Sequence, residues 1–303
     1  MYKGMRMVRG RVAVTALAIG VCPRQPRSPH THQRGTPRML DLHWCAMNKA
    51  TVSRTAEALA EAARVGPFFI LEPWCSSGQW RPLHELISDP ALSDLVSHTR
   101  SVLALRARIA ANEIEERVAA SVMFLGLVSR LVSPQLGAAV LGGVVPDLTV
   151  TDLWWRSPGN GLWPLAAGPV GGFYVGDMAA TSQTRRVAEL LSDRMSGITA
   201  PLATAFATSF RLSLRVLNGN VASALAGASA MLANSYPPRA GTTQRLAAQI
   251  LASEPLRGTG MFVRPDTAVL RVEFVRRSCC LLYRVPGAGT CGDCVLTAGR
   301  AAR

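Results

Sequence analysis

Four of the seven cysteines of this 303-residue chain lie within sixteen residues near its C-terminal end. They are Cys279, Cys280, Cys291 and Cys294, and their spacing is C-C-x10-C-x2-C. Four thiolates are the ligand set of an iron–sulfur cluster or of a structural zinc ion. A vicinal disulfide beside a C-x2-C redox pair is a third interpretation of the same residues. The spacing alone leaves these three chemistries open.

The backbone around these cysteines must bend if all four sulfurs are to act together. Neighbouring residues in a strand point to opposite faces, so we expect a bend at Cys279-Cys280. The C-x2-C half is a common two-point metal clamp, and its turn can direct backbone N–H groups at the sulfurs. We expect Gly287, Gly289 and Gly292 to supply the positive φ angles or close backbone approach of such a turn.

The rest of the chain predicts a mainly helical protein that positions the cysteines. Apolar residues recur at three- and four-residue spacing, which is typical of helices with one packed face. We expect the helix that begins near residue 112 to end at Pro134, because proline disrupts a helix interior. The predicted helices cover residues 51–65, 94–109, 112–131, 184–196, 201–217, 221–234 and 242–253.

Shorter segments predict the β-structure. Leu148–Trp155 partly alternates in polarity, and Gly161–Val175 is rich in glycine and aromatic residues. Together they indicate a short hairpin, and Ala268–Val275 has the composition of a strand. The expected fold class is therefore α+β and mainly helical. It comprises a large helical domain with a short β-hairpin, followed by a small cysteine-rich C-terminal module.

The first 46 residues differ from the rest in charge. They carry eight basic residues and one acidic residue. Their net charge is therefore +7, half of the chain's net charge of +14. Their basic start and short apolar run resemble a targeting segment, but the expected small-residue cleavage site is missing. We predict that 1–46 is a disordered basic extension, or sequence upstream of a true start at Met47. Residues 47–255 are then the helical domain, and 256–303 the C-terminal module.

Composition excludes several classes of protein. Hydrophobic residues make up 49% of the chain and charged residues 17%, which rules out a disordered protein. The basic residues form no stripe interleaved with aromatics, so no nucleic-acid partner is expected. The longest apolar runs are separated by Arg130 and Pro134, so we expect at most peripheral membrane contact.

The cysteine motif resembles the C-terminal [2Fe–2S] motif of the FhuF-like ferric iron reductases. Arg277–Arg284 and Gly287–Cys294 carry the resemblance, with all four cysteines in place. A looser resemblance to the family's helical domain covers roughly residues 50–297, including Leu153-Trp154-Trp155 and Gly219–Ala222. The family tends to have tryptophan before the Gly-Asn pair, whereas this chain has Asn218. That departure concerns the substrate more than the cluster.

The resemblance implies that a [2Fe–2S] cluster is bound by four cysteine ligands: Cys279, Cys280, Cys291 and Cys294. It also implies a cytoplasmic reductase of ferric siderophores, which acts in solution or at the inner face of the membrane. The oxygen donors of siderophores favour Fe(III), and the Fe(II) formed by one electron binds them less tightly. We therefore expect no catalytic residue beyond the cluster. The implied partners are a ferric siderophore and a flavin or ferredoxin electron donor.

Alternatives to an enzyme remain at this point. The tail could belong to a redox sensor, although no helix that reads DNA is evident. It could also belong to a siderophore-binding module that is stapled by an iron–sulfur cluster or a zinc ion. Activity with a ferric substrate separates the reductase from both.

Charged and aromatic residues near the cysteines suggest how the module works and packs. Arg276, Arg277 and Arg284 lie close to the ligands in sequence, where positive charge favours a reduced cluster and attracts anions. Simple solvation of these arginines is the alternative. Leu281 and Tyr283 are expected to pack the module onto the helices. Core packing, with the lining of a docking groove as the alternative, is expected of three tryptophans: Trp154, Trp155 and Trp163.

Overall fold

The computed structural model describes residues 48–77, 79–88, 91–157, 162–176, 178, 181–263 and 273–298. The extension predicted over residues 1–46 lies outside these ranges. The described chain is mainly helical with short strands, which confirms the predicted α+β class. Its α-helices are α1 (Val52–Ala63), α2 (Ala91–Ala107), α3 (Glu116–Val140), α4 (Thr181–Phe210), α5 (Leu214–Ser235), α6 (Ala240–Leu251) and α7 (Val295–Ala298).

Helix α3 is the centre of the helical core. It packs against α1, α2, α4 and α5, and most of its residues are buried. Phe124 of α3 meets Phe206 of α4 edge to face, with 5.0 Å between ring centroids. An aromatic pair of this geometry adds about 1 kcal/mol to the free energy of its burial. The apolar positions of the sequence thus converge on one shared core.

Two prolines lie inside helices, where we expected one helix to end at Pro134 and another to begin at Pro201. Helix α3 continues through Pro134 to Val140, and α4 runs without interruption through Pro201. The predicted end at Pro134, and the predicted break between 196 and 201, are therefore wrong. A proline inside a helix costs about 3 kcal/mol. Burial of a large apolar side chain stabilises by about 1.5–3 kcal/mol, so the fully buried Leu136 and Leu202 nearby can offset that cost.

Helix α5 also begins earlier than predicted. The sequence indicated one helix over 201–217 and another from 221, whereas the observed boundary lies between Phe210 and Leu214. Ser213 marks it, because its hydroxyl accepts a hydrogen bond from the N–H of Val216 as an N-cap. Arg211 takes a positive φ of 50° at the same turn.

The strands form three small sheets. The strand bounds are β1 (Lys49–Ala50), β2 (Glu72–Pro73), β3 (Arg81–Pro82), β4 (Val144–Pro146), β5 (Leu153–Trp155), β6 (Leu165–Ala167), β7 (Gly172–Tyr174), β8 (Gly260–Val263) and β9 (Glu273–Arg276). One sheet has the order β1-β7-β4, the second β2-β6-β5-β3, and the third pairs β8 with β9. The predicted hairpin is present as the antiparallel pair β5–β6, but β7 joins a different sheet.

The third sheet leads into the cysteines. Strand β9 includes the end of the predicted strand 268–275, whose first residues lie outside the described ranges. It pairs antiparallel with β8 and contacts α5. The C-terminal residues therefore rest on the helices. The proposed division at residue 255 stays a prediction.

Two helices, α3 and α5, have the length and apolar composition that could cross a membrane. In α3 78% of the most apolar window is buried within the protein, and in α5 61%. Core helices of soluble proteins show the same combination.

Candidate metal centre

The cysteine segment, residues 276–294, follows strand β9 and closes back on it. The N–H of Arg276 donates to the carbonyl of Asp293 at 3.3 Å, and the N–H of Arg277 donates to the carbonyl of Thr259 at 2.7 Å. The first bond holds the C-x2-C turn beside the end of β9, next to Cys279-Cys280. Residues far apart within the motif are thus brought to one place.

The four motif cysteines differ in exposure. Cys280 and Cys294 are buried, while Cys279 and Cys291 are half-buried. All four are free thiols, so the vicinal disulfide that the sequence left open is not formed. The segment therefore presents four possible thiolate ligands, two of which lie partly at the surface.

The backbone bends directly after the cysteine pair, as two ligands on adjacent residues require. Leu281 adopts a left-handed conformation with φ of 67°, and its N–H donates to Sγ of Cys279 at 3.3 Å. Gly287 and Gly289 have φ angles of 73° and 70°, as predicted. Gly292 has no positive φ, so the positive-φ alternative is wrong for this residue.

The thiols are close enough to perturb one another. A hydrogen bond from Cys291 lowers the pKa of Cys280 to about 6, against the opposing effect of burial. The same hydrogen bond, followed by burial, raises the pKa of Cys291. Burial raises the pKa of Cys279, and the charges of Cys280 and Cys294 raise it further. Several thiolates in this space therefore repel one another, and bound cations would relieve that repulsion.

Arg276 lies beside these thiols and is completely buried. Its Nη2 donates to Oδ1 of Asn220 in α5 at 2.6 Å. Asn220 in turn donates from Nδ2 to the carbonyl of Ser121 in α3 at 3.0 Å. The Ser121 hydroxyl donates to the carbonyl of Cys280 at 2.9 Å. This Arg276–Asn220–Ser121 chain connects both core helices to the cysteine pair.

Gly219 explains how the segment approaches α5 so closely. A Cβ atom added at this position would lie 2.0 Å from Oγ of Ser278 and 3.1 Å from Nη2 of Arg276. Any larger residue would push the segment away from the helix. The hydroxyl of Ser223, also in α5, donates a hydrogen bond to Oδ2 of Asp293 at 2.5 Å. This bond fixes the C-x2-C turn to that helix.

Three buried donors in the cysteine segment have no hydrogen-bond partner among the described residues: Nε and Nη1 of Arg276 and Oγ of Ser278. Buried polar groups are normally paired, because leaving one unpaired costs about 1–3 kcal/mol. An iron–sulfur cluster with its thiolates is an acceptor-rich, negatively charged group. The unpaired donors and the four free thiols therefore fit such a cluster.

Within the described ranges, no three His, Cys, Asp or Glu side chains are placed so that they could hold a metal ion. That finding concerns the grouping needed for a single ion. A [2Fe–2S] cluster divides its four cysteines between two irons.

Other residues that the sequence singled out take different positions. Arg277 and Arg284 are exposed, whereas Arg276 is not solvated at all. Leu281 is buried as expected, but Tyr283 is 49% exposed, so its predicted packing role is wrong. Arg284 instead pairs with Glu115 across 2.5 Å.

The tryptophans lie away from the cysteine segment in the sequence and mostly fill the core. Trp155 and Trp163 are buried, with 5.7 Å between ring centroids, which confirms their packing role. Trp154 is half-buried and stacks on the exposed Trp74 at 4.8 Å.

Sequence reasoning missed the side chains that anchor the segment, namely Ser121, Asn220 and Ser223. Asn220 carried a signal, because an amide within an otherwise apolar helix must find a buried partner. The identity of that partner, 56 residues further on, was not readable from spacing.

Comparison with known proteins bears on this segment. No curated protein matches the chain. Residues 276–296 match the family described as the FhuF 2Fe-2S C-terminal domain, and that range contains all four motif cysteines. The cofactor is accordingly a [2Fe–2S] cluster. The match begins at the buried Arg276, and over residues 276–296 the chain is similar to the 2Fe-2S C-terminal domain of the FhuF-like family.

Proposed function

We propose that the protein is a cytoplasmic ferric-siderophore reductase, and that Cys279, Cys280, Cys291 and Cys294 bind its [2Fe–2S] cluster. The observation that carries the proposal is the chemistry of the cysteine segment. Four free thiols and three unpaired buried donors lie in this one segment, which matches a 2Fe-2S domain. The family's association with ferric siderophore reduction supports the choice of substrate.

The bound cluster supplies one electron at a time, at a potential set by its protein surroundings. One electron from a cluster held by Cys279, Cys280, Cys291 and Cys294 would balance the reduction of one Fe(III) in the siderophore complex to Fe(II). No proton has to move in that step. The siderophore then releases iron, because its hard oxygen donors hold Fe(II) less tightly. A flavin or ferredoxin donor returns the electron.

The chain's own residues provide access and attraction. Cys279 and Cys291 are half-buried, so the proposed ligands reach the surface, where a bulky iron complex could approach. Exposed Arg277 lies next in sequence to the buried Arg276, and exposed Tyr283 offers an aromatic face nearby in sequence. Positive charge at such a surface attracts anionic complexes, and this attraction weakens as salt is added.

The cytoplasm is the proposed site of action. Thiols stay reduced there, and the described cysteines are free. Neither of the two described helices of sufficient length is proposed to cross a membrane, because both are largely buried within the protein.

Single-turnover mixing tests this function. Anaerobic protein, reduced beforehand, is mixed with a ferric hydroxamate or a ferric catecholate, and a ferrous chelator traps the product. We expect cluster re-oxidation and one Fe(II) per electron. The gallium(III) complex of the same siderophore is the matched control, since it cannot accept the electron.

Cysteine variants connect the activity to the proposed ligands. The double variant Cys291→Ser/Cys294→Ser should lose both the visible absorption and ferric reduction. Cys75→Ser removes a free cysteine outside the segment and should retain both. Undiminished ferric reduction by the colourless double variant would contradict the mechanism. A normal cluster that no ferric siderophore re-oxidises would instead favour a sensor or a binding module.

A further inference from the structure

The buried guanidinium of Arg276 has more hydrogen-bond donors than its surroundings use. One nitrogen, Nη2, is bonded to Asn220, whereas Nε and Nη1 have no partner in the part of the chain that the structure describes. A guanidinium carries five N–H donors and remains charged in proteins. Burying it without an anion is costly, so its surroundings should include a group of opposite charge.

The side chain is held where the cluster is expected. Asn220 fixes one end of the guanidinium, and the backbone of Arg276 is bonded to Asp293 of the C-x2-C turn. Asn220 also donates to the carbonyl of Ser121, whose hydroxyl donates to the carbonyl of Cys280, so Arg276 belongs to the same hydrogen-bond network as the cysteine pair. No described carboxylate forms an ion pair with Arg276.

We propose that the Arg276 guanidinium contacts the cluster or its thiolate ligands and sets the reduction potential of the cluster. Its Nε and Nη1 donate hydrogen bonds to the cluster sulfurs or to the cysteine thiolates, and Asn220 keeps them aimed. The inference rests on the proposed ligation by the four cysteines, and it does not depend on the ferric substrate. Reduction adds negative charge, so a buried cation with fixed donors stabilises the reduced state and raises the potential.

The neighbouring Arg277 allows a matched comparison. It carries the same charge one residue away but is exposed, so water and salt screen its effect. In Arg276→Gln we expect the ratio of reduced to oxidised cluster, at a fixed applied potential, to fall about tenfold. That is about 59 mV for a one-electron couple. In Arg277→Gln the same ratio should change by less than about twofold.

The experiment is a redox titration of the full-length protein with its cluster, followed by EPR, for the wild type and three variants. Arg276→Lys restores the charge without the planar fork, so its potential should lie between those of the wild type and Arg276→Gln. Equal potentials for Arg276→Gln and Arg277→Gln would overturn the inference while leaving the cluster assignment intact. Absence of a cluster from the wild type would instead overturn the proposed ligation.

A measurement on the wild type avoids dependence on variants that fold poorly. Protein grown with ¹⁵N-arginine is reduced, and the electron-spin-echo modulation of the cluster signal is compared with that of unlabelled protein. We expect a nitrogen coupling that changes with the label and persists in Arg277→Gln. No label-dependent coupling in the wild type would show that no arginine nitrogen contacts the cluster, and the inference would fail.

Discussion

Two arginines are buried among the described residues, and they differ in what surrounds their donors. Arg130 of α3 is 4% exposed and Arg276 is fully buried. Nε of Arg130 donates to the carbonyl of Trp163 at 2.7 Å, and Nη1 donates to the carbonyl of Pro67. Arg276 leaves its Nε and Nη1 unpaired among those same residues.

The difference separates a folding role from a cofactor role. The protein's own backbone satisfies Arg130, which connects α3 to two loops. Burial lowers the pKa of Arg130, and the charge of Glu72 opposes that effect. Arg276 instead needs an acceptor that the described polypeptide does not supply. Backbone carbonyls thus accept the hydrogen bonds of Arg130, whereas the proposed cluster accepts those of Nε and Nη1 of Arg276.

Replacing Arg130 should lower the free energy of unfolding more than replacing Gly219 does. Arg130→Met removes both hydrogen bonds, so we expect the free energy of unfolding to fall by about 3 kcal/mol. In a protein of this size that corresponds to a melting temperature lower by about 6–12 °C. The cluster potential should not change. Thermal unfolding measures the first effect and redox titration the second.

Arg117→Met is the matched control, because Arg117 is exposed on the same helix. It should alter stability by less than about 0.5 kcal/mol. A shift in potential for Arg130→Met as large as that for Arg276→Gln would remove the distinction between the two arginines.

Widening the contact between Gly219 and Ser278 should have a smaller effect. Gly219→Ala places a methyl group 2.0 Å from Oγ of Ser278, so we expect the free energy of unfolding to fall by about 1–3 kcal/mol and cluster retention to be impaired. Gly227→Ala in the same helix meets nothing within 4 Å and should be neutral or stabilising by up to about 1 kcal/mol. Urea unfolding and iron content after gel filtration measure both.

Similar stability and iron retention in the two glycine variants would show that the segment does not need its close approach to α5. The Asn220 anchor would then be too loosely held to aim Arg276, and the comparison between the two arginines would lose its basis.

The cysteine motif and most helices were predictable because their signals are local. The spacing of four cysteines, a bend at the pair and positive φ at two glycines follow from a few adjacent residues. The continuation of helices through Pro134 and Pro201 was not predictable. It depends on burial against other helices, which outweighs the local cost of proline.

The side chains that hold the cysteine segment against the helices were harder to predict than the cysteines. Asn220 and Ser121 are 99 residues apart and meet only after α3 and α5 pack together. Arg276 was recognised as a charge near the cysteines, but the sequence could not distinguish a solvated arginine from a buried one. That distinction depends on Gly219, whose lack of a side chain lets the segment lie against the helix.

The metal content of the full-length protein is the most direct test of whether its four motif cysteines bind a [2Fe–2S] cluster. The protein is prepared anaerobically, iron and zinc are quantified, and optical and EPR spectra are taken before and after dithionite. We predict about two irons per chain, visible absorption that bleaches on reduction and an EPR signal in the reduced state. One zinc per chain with no chromophore would contradict this prediction and make the cysteine segment a structural staple.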